Sequence, residues 1–124
     1  MKFKTTLVLS TLMSASIFVS MPTLANEQLA ASLCDYVAAD DKSRLRKKIK
    51  ESRVKLRNIF SGVTCSGNNL LRHAMVNNAD GTGQFMVKKL PKALLAAGGD
   101  VDWANSNGHS ASPIVASIKA RAGI

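Results

Sequence analysis

Cys34 and Cys65 are the chain's only cysteines, and they bracket its most charged stretch. Residues 42–57 read KSRLRKKIKESRVKLR and hold nine of the seventeen Lys and Arg residues, with Glu51 as the single acid. Two cysteines allow one intramolecular connectivity, so whether they pair decides how this basic stretch is held. Closing a loop of about 31 residues contributes roughly 3.5–4 kcal/mol by chain entropy, less where the native geometry is strained. Two free thiols, or half of an intermolecular pair, are the rival readings, and the compartment arbitrates between them.

Residues 1–25 have the features of a targeting segment. Lys2 and Lys4 form a short positive end, and residues 7–19 are an apolar core interrupted only by small hydroxylic residues. Thr23-Leu24-Ala25 places small residues at the minus-three and minus-one positions, which predicts cleavage before Asn26. Residues 5–26 are uncharged and long enough to span a bilayer, so an uncleaved anchor is the competing reading. Pro22, the many Ser and Thr residues and the short apolar core weigh against it. The expected location is periplasmic or secreted, with no stable transmembrane anchor after cleavage. Export favours an internal Cys34–Cys65 disulfide over the two rivals. Metal binding is disfavoured, because there is no CxxC and neither His73 nor His109 lies at ligand spacing from a cysteine.

The remaining residues, 26–124, are sized for one domain. Without Lys2 and Lys4 they carry fifteen bases against eight acids, a net charge near +7. Leu29, Leu33, Tyr36 and Val37 predict a first helix over residues 27–39, ended by Asp40 and Asp41. Leu45, Ile49, Ser52, Leu56 and Ile59 step by four, three, four and three, predicting one long helix over 41–60 with a narrow apolar stripe. Its bases wrap the rest of the surface, and Val54 stands alone among them. Residues 68–78 read as a third helix burying Leu70, Leu71, Ala74 and Met75. Residues 77–83, dense in turn formers, read as the least structured interior segment. Pro91 either opens a short helix over 92–97 or kinks a longer one, and Gly98 is the expected left-handed cap. Residues 100–110 read as a polar loop, and Pro113 opens a last helix over 113–122 capped by Ser112. No segment alternates at period two, so the class is all-α.

From Gly67 onward the residues resemble ankyrin repeats. Gly67-Asn68-Asn69-Leu70-Leu71-Arg72-His73-Ala74 keeps the Gly, Leu and Ala of the opening G-x-T-P-L-H-x-A. Residues 94–102, Leu-Leu-Ala-Ala-Gly-Gly-Asp-Val-Asp, are similar to L-L-x-x-G-A-D-V-N, and Gly108-His109-Ser110 matches the next G-x-T. The interval from Gly67 to Gly108 exceeds the usual period of about 33, with the surplus around residues 77–84. One repeat and the first helix of another are visible, and a single repeat cannot bury its own apolar face. The resemblance therefore implies a small stack of antiparallel helix pairs. In it residues 26–66, a helix pair stapled by the disulfide, stand in as neighbour to an ankyrin-like segment, 67–124.

Cys34, the Lys-Ser-Arg-Leu-Arg and Glu-Ser-Arg-x-Lys-Leu-Arg-Asn-Ile runs, Cys65-x-Gly67 and Leu71-Arg72-x-Ala74 also resemble a domain-of-unknown-function family of small exported proteins from Gram-negative bacteria. That resemblance covers roughly residues 33–97 and implies no activity.

Two surfaces are candidates for a partner. The first is the basic face, where Lys42, Arg44, Arg46, Lys47, Lys50, Arg53 and Arg57 could meet an anion. Nucleic acid is the usual partner of such a run, and export disfavours it. Lipopolysaccharide, anionic phospholipid or an acidic protein surface fits better. The bland alternative is a solvated face that keeps the protein soluble. The second is the loop 100–110, where Asp100, Trp103 and Asn105 would contact a protein partner as ankyrin-like loops do. There the bland alternative has Trp103 folding back to seal the core. No nucleophile elbow, HExxH or phosphate-binding glycine loop is present, so no catalytic, cofactor-binding or metal-binding residues are assigned, no cofactor is implied, and the chain is not expected to be an enzyme.

Overall fold

Short polar residues placed just before apolar runs set several helix starts. The Asp41 carboxylate accepts from the Arg44 N–H at 3.0 Å, Asn69 accepts from the Arg72 N–H at 2.8 Å, and Ser112 accepts from the Ile114 N–H at 3.2 Å. The computed structural model describes residues 21–124, with side chains described from Asn26 onward. The helices are α1 (Met21–Ala38), α2 (Lys42–Glu51), α3 (Leu56–Ile59), α4 (Leu70–Val76), α5 (Asp80–Lys89), α6 (Lys92–Ala97), α7 (Asp100–Ser106) and α8 (Pro113–Ala122), with a 3₁₀ turn, Phe60–Gly62, continuing α3. Among the described residues there is no strand, only an isolated bridge between Cys65 and Asn68. The all-α class holds, and Cys34 and Cys65 are joined in a disulfide with Cα atoms 5.7 Å apart. Of the predicted leader, residues 1–20 lie outside the described residues, and residues 21–25 form the first turn and more of α1.

The core is one continuous cluster. Leu33 and Val37 from α1, Leu45 from α2, Leu70, Leu71 and Met75 from α4, Met86 from α5, Leu95 from α6, and Ile114 and Ile118 from α8 are almost wholly shielded from solvent. Helix α5 is its centre, touching α1, α2, α3, α4 and α8.

That position corrects the reading of residues 77–83 as the least structured interior segment, since Asp80, Gly81, Thr82 and Gly83 form the first turn of α5. Tertiary contacts override the turn-forming composition. The Thr82 N–H donates to Asp40 Oδ1 at 2.8 Å, and the buried Thr82 hydroxyl lies 3.3 Å from the Val37 carbonyl. The end of α1 thus caps the start of α5, with a carboxylate at the positive end of its dipole. Gly83 is needed for a different reason: a Cβ there would overlap Ile114, so its absence lets α8 close on α5.

The long basic helix is also corrected. Helix α2 stops at Glu51, Arg53 takes a left-handed φ of 54°, and Lys55 is extended before α3 begins. In an unbroken helix Arg53 would face Arg57 four residues on, a destabilising like-charge pair that the break removes, whereas Arg44–Lys48 and Arg46–Lys50 keep that spacing within α2. The break still buries Leu45 and Leu56 and half-buries Ile49 and Ile59, and it adds Phe60 and Val63 to the core.

Further along, Pro91 separates two helices, and α6 spans Lys92–Ala97 as the sequence predicts. The left-handed residue is Gly99, with φ 69°, and not Gly98, which stays helical. Residues 100–106, read as part of a polar loop, form α7 instead. Gly99 reverses the chain, and Asp100 in the first turn is held by α4. Where the ankyrin resemblance implies a projecting loop, a helix packs against α4 and α8.

Candidate functional site

The break between α2 and α3 makes a cleft of about 360 Å³. Its apolar surface comes from Ile49 on α2, Val54 in the break, Leu56 on α3 and Phe85 on α5. Leu56 and Phe85 are core residues that show a small edge here, and Ile49 and Val54 are half-buried. Five cations complete the lining: Arg46 and Lys50 from α2, Lys55, Arg57, and Lys89 at the end of α5. No acid and no uncharged polar side chain lines it. The Lys89 ammonium sits 5.8 Å from the Phe85 ring centroid, a cation–π contact between residues one turn apart.

Among the described residues none of these five cations is ion-paired, whereas two of their neighbours are. Arg44 Nε lies 3.4 Å from Asp41 and Lys47 Nζ 3.8 Å from Glu51. The acids of the basic segment therefore serve cations outside the cleft. Charges of one sign gathered over apolar walls concentrate the potential where a ligand would enter.

Of the seven residues assigned to the basic face, the structure brings Arg46, Lys50 and Arg57 into the cleft. Lys42, Arg44, Lys47 and Arg53 are exposed and lie outside it. Sequence reasoning missed Lys55, Lys89 and the apolar wall. Lys89 follows Phe85 by four residues, a spacing that does place them on one helical face. Nothing in the sequence marked that face as turned toward α2.

The second surface is organised differently. Asp100 is buried, and its Oδ1 accepts from Asn69 Nδ2 and Arg72 Nε, each at 2.8 Å; Oδ2 has no partner among the described residues. Arg72 Nη2 also donates to the Gly98 carbonyl at 3.1 Å, and the guanidinium lies 5.5 Å from the Trp103 ring centroid. Trp103 also stacks on His109, with ring centroids 5.4 Å apart and planes 8° from parallel. Trp103 packs partly against the core, so Asp100 and Trp103 are committed inward and only Asn105 of that trio is exposed. His73 Nε2 lies 3.1 Å from the Cys34 carbonyl oxygen. Among the described residues no three His, Cys, Asp or Glu side chains are placed to hold a metal ion.

Fold and site together define a small all-helical, disulfide-linked protein with an acid-free basic cleft. Residues 33–97, just over half of the chain, match the family described as Protein of unknown function (DUF3718), and the chain belongs to that family. No curated protein and no solved structure matches the chain, so the ankyrin resemblance rests on sequence alone. The matched span contains both cysteines and every residue of the cleft, and it ends before Asp100 and Trp103.

Proposed function

We propose that this is an exported protein that works by binding and not by catalysis, taking an anionic component of the cell envelope at the cleft between α2, α3 and α5. The carrying observation is five cations around one concavity with no acid among them. A face meant only to keep the protein soluble has no need of a concavity, and it tolerates interspersed acids. The disulfide fits an oxidising compartment, and among the described residues no helix is long and apolar enough to cross a membrane. Both cysteines and the whole cleft lie within the family match, so staple and cleft belong to the same unit.

The test compares wild type with the triple variant Arg46→Glu, Lys50→Glu, Arg57→Glu for association with envelope fractions at low and high salt. Wild type associates and is released by salt, because contacts between exposed charges are screened within about 8–10 Å at physiological ionic strength. The variant keeps its helical circular dichroism and does not associate. Unchanged association of a folded variant would dismiss the proposal.

A further inference from the structure

We infer that the cleft receives the phosphate head and adjoining alkyl segment of a lipid, bound as a single molecule. This rests on the anion-binding reading of the same cleft and narrows it to a ligand with two chemically different ends.

The lining itself sets that requirement. Its side chains are of two kinds only, cationic and hydrocarbon. Arg and Lys side chains donate hydrogen bonds and accept none. A peptide, a sugar or a nucleobase would bring N–H or O–H donors into the cleft, and no lining side chain could accept from them. A phosphate brings acceptors alone, so every polar atom at its end of the ligand can be matched.

The hydrocarbon part of the lining needs an occupant as well. A bare inorganic anion would satisfy the cations and leave Ile49, Val54 and the edge of Phe85 facing water. An alkyl segment covers them, and the cations stand around it on flexible stems that can follow the head group. The cleft's volume, about 360 Å³, is at the small end of pockets that hold small molecules. It suits a head group and the start of one chain, taken as a monomer, and not a membrane surface lying across the helix. The groove beside Phe60 and Leu94 is larger, about 440 Å³, but no charged side chain lines it and no ligand class follows from it.

Octyl phosphate, inorganic phosphate and octyl glucoside are the probes, titrated calorimetrically as monomers into the oxidised full chain. Octyl phosphate should bind at least about tenfold more tightly than either of the others, since head and chain each contribute. Val54→Asn, in the half-buried break, should weaken octyl phosphate by at least about fivefold and leave inorganic phosphate unchanged. Val54→Ala, which shortens the wall without adding polarity, should act in the same direction and guards against a folding defect. Arg57→Gln should weaken both anions. Equal affinity for octyl and inorganic phosphate would overturn the lipid assignment while leaving anion binding intact. Loss of both anions as ligands, together with envelope association surviving the triple charge reversal, would overturn both.

Discussion

Arg72 Nε lies 2.8 Å from Oδ1 of Asp100, a carboxylate with no exposed side-chain surface, while the Arg72 side chain remains 28% exposed. The pair ties α4 to the start of α7, and Asn69 and the Gly98 carbonyl complete it. Removing the arginine strands a buried carboxylate whose second oxygen already has no partner among the described residues. Arg72→Ala should cost roughly 3 kcal/mol, read as a lowered urea midpoint at unchanged slope. Arg72→Lys keeps the charge but not the fork that reaches Asp100 and Gly98 together, and it should recover only part of the loss.

Trp103 contacts both that guanidinium and the His109 ring. Its ring pairing and partial burial belong to the core, so Trp103→Ala should lower stability by about 1–3 kcal/mol. Its envelope association and the salt dependence of that association should match wild type. A stable Trp103→Ala protein that had lost association would move the partner surface to α7.

Residue types read reliably where burial and local capping agreed. Leu70, Leu71, Ala74 and Met75 are buried as their spacing predicts, and Ser112 and Pro113 open α8 as expected. The disulfide agrees with the export expected from residues 1–25, and the helical class with the periodicity. What the sequence concealed was tertiary. Residues 80–83 look like a turn until Asp40 is placed at their amides, and residues 100–106 look like a loop until Arg72 takes the Asp100 carboxylate. The basic stretch had both the composition and the stripe of a long helix. The break that makes the cleft relieves one like-charge pair, Arg53 and Arg57, too small an effect to mark its place in the sequence. Lys89 could not be assigned to the site, because its neighbours arrive from α2 and α3.

Gly83 offers a direct test of how closely α5 and α8 approach. An added Cβ would overlap the end of the Ile114 side chain, with Ala74 Cβ 3.4 Å away on the other side. Gly83→Ala should therefore destabilise by about 1–3 kcal/mol, although alanine is the better helix former in general. Ile114→Ala removes both Cδ1 and Cγ1, the two atoms that the new Cβ would meet. The double variant should be more stable than the sum of the two single losses, and additive losses would show that the helices shift apart instead.

The disulfide closes a 31-residue separation that contains α2, α3 and the α2–α3 break. Replacing Cys34 and Cys65 together with Ala should cost about 3–4 kcal/mol by chain entropy, measured by thermal or urea unfolding against the oxidised protein. Reduction of wild type should reproduce most of that loss. Ligand affinity of the fraction that remains folded should change little, because neither cysteine lines the cleft.

Lys50 and Lys42 separate a site from a charged surface. Both are exposed lysines of α2, eight residues apart, but Lys50 lines the cleft and Lys42, in the first turn, does not. Lys50→Gln and Lys42→Gln remove the same charge from the same helix, and each should alter stability by no more than about 0.5 kcal/mol. If the whole basic face attracted anions nonspecifically, the two would weaken envelope association equally and by a small factor. A cleft that coordinates the anion makes Lys50→Gln the larger loss, by about tenfold or one charge-assisted contact, while Lys42→Gln falls within about twofold of wild type. The comparison is best made at low and near-physiological salt. Screening reduces the Lys42 effect toward zero there, and a cation in direct contact with the ligand keeps most of its contribution. Equal effects at both salt concentrations would return the basic segment to the role of a solvated face.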